Sequence, residues 1–378
     1  MNRPPAEIAT LARRHPDVPL IMAHLGGVGW RGVLDVKNCP NVLIDTSGAQ
    51  PQAELVEFAI EQLDAERVIF GSDWPIRDLA VQRARIDGAL VAVKARDAML
   101  GGTMARLLKA TEGSGGAVTV NAFDASAWVG SWVFGDGDDE PLDEIVRWLM
   151  AAGIHGAVFS PMHAMLAPEP MKANADLLGE IARRDVDGFD ARMVPIINPP
   201  LPNWREYIAA CLDERGNTIV AFKLIPNYHR YSLSDPATNK LANHLMSRGM
   251  PLCVQVRMLD ERVHHPRMLV PGVPISEVDD LARSHPDLRI LACGVYQSEL
   301  RQLAEADNVS VELSSIESGD TLPNVLDILP PERVMLGTHA PVYYPAPAIA
   351  KVQGDGVSSE TIAMIATGNA QRFFSVSP

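Results

Sequence analysis

The sequence predicts an α/β architecture of the (β/α)8 type, a complete eight-stranded barrel preceded by strands six to eight of another, and three observations lead there. From about residue 118 onward, eight short apolar runs alternate with amphipathic helical patterns. The first 110 or so residues repeat, in order, the last third of that region. The chain has 378 residues, whereas one such barrel takes about 250.

The repeat is read from four matches. LARRHPDVPLIMAHLGG from Leu11 matches LARSHPDLRILACGVYQ from Leu281, NVLIDTSG from Asn41 matches NVSVELSS from Asn308, and ERVIFGSDWP from Glu66 matches ERVMLGTHAP from Glu332. GGTMARLL from Gly101 matches TGNAQRFF from Thr367. The separation drifts only from 270 to 266 positions, so the chain divides into two homologous units. The boundaries follow: residues 1–110 as the end of a first unit, the Gly/Ser-rich TEGSGGA of 111–117 as a linker, and 118–378 as a whole second unit.

In order, the strands of the second unit are expected at AVTVNAF, HGAVFSP, ARMVPIIN, TIVAFKLIP, MPLCVQV, LRILAC, NVSVEL and RVMLGT. Between them, PLDEIVRWLMAAG and TNKLANHLMSRG place apolar residues three and four apart and end on Gly, as helices do. The first unit supplies PLIMAH, NVLIDTS and RVIFGS, and three strands cannot close a barrel. Two explanations stand: a segment before Met1 carries the rest, or the three strands pack against a partner or the second barrel. An open three-strand edge favours the first.

Composition narrows the partners. A net charge of −14 with no dense Lys/Arg run argues against nucleic acid and anionic membranes. The N-terminus lacks an apolar signal core, and no run reaches eighteen apolar residues. Four scattered cysteines fit reduced thiols in a cytoplasm. A small-molecule substrate is expected, with a homo-oligomer or a completing partner chain as the protein contacts. GDGDDE at 135–140 lacks calcium-loop spacing and reads as an acidic turn. There is no GxGxxG, Walker or GxSxG motif.

AHLGG at 23–27, NVLIDTSG and FGSDWP at 70–75 resemble the C-terminal third of the metal-dependent amidohydrolase superfamily, in its amidohydrolase-related (amidohydrolase 2) branch. The resemblance implies a barrel that hydrolyses small amides or lactones, or decarboxylates aromatic acids, with a divalent metal, zinc by expectation. It implies that His24 is a metal-ligand or catalytic histidine, and that Asp73 binds metal and takes a proton from the attacking water. Elementary chemistry agrees: both residues follow predicted strands at the face where barrel enzymes gather their side chains, and an imidazole with a carboxylate can hold a metal and its water. The structural alternative has His24 closing a strand end and Asp73 capping a helix near Arg77.

The family pattern also has a His-x-His pair at strand one and a histidine at strand five. The first unit lacks both strands, so its metal site is incomplete in this chain. In the second unit the resemblance puts Ser126 and Trp128 at the paired positions, Gln255 or Arg257 at strand five, Gly294 beside Cys293 opposite His24, and His339 opposite Asp73. That set cannot supply two imidazoles and a carboxylate. The opening NAFDASAWVGSWVF is similar to a divergent, metal-ligand-free group of amidohydrolase-like proteins. Arg257, with Lys223 at strand four and His229 beyond, is a candidate for binding an acidic small molecule. Equally, Arg257, Asp260 and Glu261 can form an ion-pair network that holds the loop. His264 and His265 diverge and make a poor metal pair. Trp30 is a candidate for lining a substrate pocket, with core packing as its alternative. The functional readings are therefore a metal-dependent hydrolase, a non-catalytic ligand- or partner-binding barrel, and a decarboxylase in the same fold.

Overall fold

The structure, a computed structural model, describes every residue except 1–4, 27–29, 49–51, 75, 109–120, 133–140, 184–187, 216–217, 266, 354–355 and 377–378. The expected linker at 111–117 and the acidic turn at 135–140 lie outside the described residues. The chain divides into two compact units, Met1–Val118 with Ser318–Asp320, and Thr119–Glu317 with Thr321–Pro378.

Unit 1 holds a three-stranded parallel sheet in the order β1 (Leu20–Met22), β2 (Val42–Asp45), β3 (Val68–Ile69). These are the three runs read from the sequence. Between them stand the helices Trp30–Val36 and Leu55–Leu63, whose Val33, Val36, Val56 and Ala59 are buried.

Unit 2 holds eight parallel strands: β4 (Ala122–Val129), β5 (Ile154–Pro161), β6 (Asp190–Met193), β7 (Phe222–Leu224), β8 (Leu252–Gln255), β9 (Ile290–Cys293), β10 (Val309–Glu312) and β11 (Val334–Met335). They form ladders β4-β5-β6 and β7-β8-β9-β10-β11. Parallel bridges Met193–Ile219 and Ile196–Lys223 join the ladders on one side. On the other side Ala125 N–H donates to the Leu336 carbonyl (2.9 Å), His339 N–H to Ser126 (2.8 Å) and Trp128 N–H to Ala340 (2.7 Å). Seven of the eight runs fall where the sequence puts them. The first differs: of the expected AVTVNAF, 117–120 lie outside the described residues, and β4 takes in its end, running from Ala122 through Val129. FDASAWV is buried along its whole length and pairs with β5, and a strand covered on both faces need not alternate apolar with polar residues.

The helices follow ordinary rules. Leu142–Ala151 buries Leu142, Ile145, Val146 and Leu149 at spacings of three and four and carries Asp143 and Glu144 in its first turn, where carboxylates favour the helix dipole. Pro236–Ser247 starts with Pro after Asp235, whose carboxylate accepts the Ala237 N–H.

The two units share local wiring. The Asn41 side-chain amide donates to the Ala12, His15 and Val18 carbonyls, and Asn308 donates to Ala282, His285 and Leu288. Arg67 ties the Val36, Lys37, Cys39 and Val42 carbonyls, while Arg333 ties Leu303, Ala304 and Val309. A single π-helical turn stands at Ala98–Gly102 and again at Met364–Gly368.

Candidate functional site

In unit 1 both predicted residues stand just past the C-terminal ends of their strands. His24 follows β1 and Asp73 follows β3, so both lie on one edge of a parallel sheet. Each adopts the left-handed backbone region, with φ 68° at His24 and 56° at Asp73, unusual for a residue with a Cβ. Asp45, at the end of β2, organises the neighbourhood. Its Oδ1 accepts the His24 N–H (3.0 Å), the Ser47 N–H (2.9 Å) and the Ser47 hydroxyl (2.5 Å). Gly48 leaves room for the imidazole, because a Cβ there would lie 1.9 Å from His24 Nδ1. Asp73 does not cap a helix: its carbonyl accepts the Ile76 and Arg77 N–H groups in a turn, and the cap of Leu79–Asp87 is Asp78. Trp30 begins the helix Trp30–Val36, and its side chain lies outside the described part of the structure.

The same edge of unit 2 keeps the backbone and changes the chemistry. Gly294 has φ 71° and His339 φ 60°, matching His24 and Asp73. Glu312 matches Asp45: its Oε1 accepts the Gly294 N–H (2.7 Å) and the Ser314 hydroxyl (2.8 Å), and its Oε2 accepts the Ser314 N–H (2.6 Å). Sequence reasoning does not single out this carboxylate. The alignment NVLIDTSG/NVSVELSS carries the signal, because it sets Asp against Glu.

At the centre of unit 2, the fully buried Trp128 donates its indole N–H to His339 Nδ1 (3.1 Å), and His339 Nε2 lies 2.7 Å from the Met258 carbonyl. Indole is only a donor and a carbonyl only an acceptor, so the imidazole is neutral with its proton on Nε2. Burial pushes the His339 pKa down to about 3. Lys223 is buried with its Nζ 4.2 Å from the Trp128 ring centroid, a cation–π contact. The structure thus brings Lys223, Trp128 and His339 together. Beside them, the buried Asp124 accepts the Ser126 N–H (2.9 Å), the Thr338 N–H (3.0 Å) and the Thr338 hydroxyl (2.5 Å), and burial raises its pKa to about 6 against the pull of these bonds.

Arg257 goes elsewhere. Its guanidinium makes a bidentate pair with Glu299 (2.7 and 2.5 Å), donates to the Gly294 carbonyl (2.6 Å), lies 3.6 Å from Glu261 and stacks 3.8 Å from the Tyr296 ring centroid. Its main partner, Glu299, escapes sequence reasoning, being 42 positions away with no motif to mark it. Asp260 pairs with Arg262 instead (2.6 Å). His264 Nδ1 accepts the Val270 N–H and His265 Nδ1 the Arg267 N–H, so each holds its own turn. His229 Nε2 bonds the Ala164 carbonyl (3.0 Å).

These donors do not make a metal centre among the described residues. Among the described residues no group of three His, Cys, Asp or Glu side chains is disposed to hold an ion. In unit 2 both His339 nitrogens are engaged, and the Ser126 hydroxyl and Gln255 Oε1, buried without hydrogen-bond partners among the described residues, are neutral oxygens. Unit 1 offers His24 and Asp73, two donors where a tight site takes three or more. No described helix is long and apolar enough to cross a membrane.

The fold and this edge define an α/β protein of parallel strands whose polar side chains gather past the strand ends. Within that class the chain belongs to the amidohydrolase family, whose model matches residues 3–110 and 151–376. Among solved structures it is similar to 5-carboxyvanillate decarboxylase from Sphingomonas paucimobilis (15% identity, 68% of this chain, 100% of that one, TM-score 0.52). It is also similar to 2,6-dihydroxybenzoate decarboxylase from Rhizobium (16%, 68%, 99%, 0.52). A dihydroxybenzoic acid decarboxylase from Polaromonas sp. JS666 with bound manganese is similar as well (15%, 68%, 97%, 0.53). At these identities the likeness is one of fold. No curated protein sequence matches the chain.

Proposed function

We propose that the chain is a two-unit member of the amidohydrolase family: an incomplete first barrel, strands six to eight, followed by a closed (β/α)8 barrel that has lost its metal ligands. The shared wiring of Asn41/Asn308, Arg67/Arg333 and Asp45/Glu312, together with the hydrogen bonds from β4 to the segment after β11, supports that reading. Unit 1 serves metal-dependent hydrolysis of a small amide or lactone, contributing His24 and Asp73 to a divalent-metal site that needs further ligands from outside this chain's described residues. The observation that carries the proposal is the placement of these two residues on one strand-end edge in matching left-handed conformations. A cytoplasmic setting belongs to the same proposal.

Metal analysis tests it. The protein is dialysed to equilibrium against a series of zinc or manganese concentrations, beside Asp73→Asn and His24→Ala. Weak saturable binding that falls in both variants supports the hydrolytic unit, and binding equal in all three overturns the assignment of these residues.

A second reading, a ligand- or partner-binding barrel without turnover, is favoured by the Trp128–His339–Met258 chain, which fills the positions where unit 2 would need ligands. Decarboxylation by the same edge is distinguished from hydrolysis by its product, carbon dioxide from an aromatic acid rather than an amine or alcohol.

A further inference from the structure

Unit 2 holds a cavity of about 320 Å³ between the helices Met171–Arg183 and Trp204–Arg215. That is within the range of about 300–1,000 Å³ that small-molecule sites occupy. Its origin is legible residue by residue. Met171, Asn174, Ala175 and Leu178 share one face of the first helix, and Tyr207, Ala210 and Cys211 share one face of the second, at spacings of three and four. Helices that pack directly interdigitate side chains across such faces. Here Ala175 and Ala210 are both exposed, and their methyl groups are too short to meet. Met193 at the end of β6 and Ile219 form the floor, and both belong to the core that strands share with helices, so the slot lies on the helix side of the sheet. Its shape is fixed in advance. The amide of Asn174, 1% exposed, accepts the Ile196 N–H (2.9 Å) and donates to the Ile196 carbonyl (2.8 Å), which pins its helix to the chain beyond β6. The Met171 thioether accepts the Asn203 amide (3.6 Å).

The walls select the occupant. Thioether, aliphatic and ring surface dominate them, which suits an apolar body, and thioethers adapt to irregular ones. Among the described residues that line the slot, Lys172 is the one Lys, Arg, Asp or Glu. Its side chain is 85% exposed, and its only ion pair is with the exposed Asp176 (2.5 Å). An exposed pair of this kind exchanges partners at little cost. We propose that the slot binds a small amphiphilic acid, with an apolar tail between the two helices and a carboxylate head on Lys172 at the rim. Neither the His24–Asp73 edge nor the Trp128–His339 contact takes part, so this site is separate from the metal-dependent function of unit 1.

The test uses the full chain and three probes of one tail length: octanoate, octanamide and octylamine. Isothermal titration calorimetry is expected to show saturable binding of octanoate, with octanamide weaker and octylamine weakest. Ala175→Trp and Ala210→Trp fill the slot from opposite walls and are expected to weaken octanoate by about tenfold or more. Both positions are exposed, and circular dichroism verifies that each variant is folded. Lys172→Glu is expected to weaken octanoate by about threefold and to leave octanamide unchanged. Absence of saturable octanoate binding overturns the proposal, as does binding that ignores both tryptophan variants. Octylamine binding as tightly as octanoate overturns the assignment of the head group to Lys172. None of these readouts involves metal or turnover, so they fail separately from the metal test of His24 and Asp73.

Discussion

The indole N–H of Trp128 is bonded to Nδ1 of His339, 211 positions away, and that one contact joins β4 to the segment after β11 through side chains as well as backbone. Removing the donor leaves a buried acceptor unpaired. Trp128→Phe keeps a ring beneath Lys223 but strips the bond, and it is expected to lower the unfolding free energy by about 1–3 kcal/mol, measured by urea titration at pH 7. Stability equal to wild type would show that the bond contributes nothing.

The buried imidazole also makes stability depend on pH. His339 stays neutral in the folded chain down to about pH 3, whereas in the unfolded chain it protonates near its ordinary value of 6.5. Over that window the unfolded state binds more protons, so His339 lowers stability as pH falls. Asp124 acts in the opposite sense, since its folded pKa of about 6 lies above the ordinary 3.8 and its contribution is lost as pH rises through 6. The two largely offset in wild type. His339→Gln leaves Asp124 alone, so the variant's stability relative to wild type is expected to rise by about 2–3 kcal/mol between pH 7 and 4.5. Parallel urea-denaturation curves at the two pH values would contradict this.

Arg257 and Glu299 form a pair in which the guanidinium is almost fully buried. Breaking such a pair from one side strands a charge, at a cost of about 3 kcal/mol. Glu299→Gln is expected to be destabilised on that scale, and Glu261→Gln, whose carboxylate stands 3.6 Å from Arg257, by much less. Thermal unfolding of the two variants side by side checks the ranking.

Gly294 and His24 share a backbone conformation, yet restoring the histidine is expected to fail. A Cβ at Gly294 would meet the Arg257 carbonyl oxygen at 2.4 Å. Gly294→His should therefore unfold at lower temperature and retain no added zinc after desalting. A stable variant with one zinc per chain would show that the segment around Arg257 yields.

The strands of both units other than β4 are legible in the sequence because each lies in a β-branched or apolar run, and the repeat by itself sets His24 against Gly294 and Asp73 against His339 at matching corners. The wiring is less so. Asp45 and Glu312 are hidden because a carboxylate that accepts local N–H groups carries no motif, although the repeat pairs them. Glu299 and Thr338 are invisible for a different reason: each meets its partner across the fold, 42 and 214 positions away, and no local spacing encodes that. The extension of β4 to Val129 is missed because a strand buried on both faces reads as an uneven mixture of Asp, Ser, Ala and Trp.

The asparagine corners have a consequence for the order of assembly. Each bond from Asn41 closes a loop of 23 to 29 positions, and each from Asn308 one of 20 to 26. Short loops close at low entropic cost. A helix, its following strand and the next strand can thus lock together early. Each unit has one such corner, a prefabricated two-strand joint that is set before pairings distant in the chain have to be found.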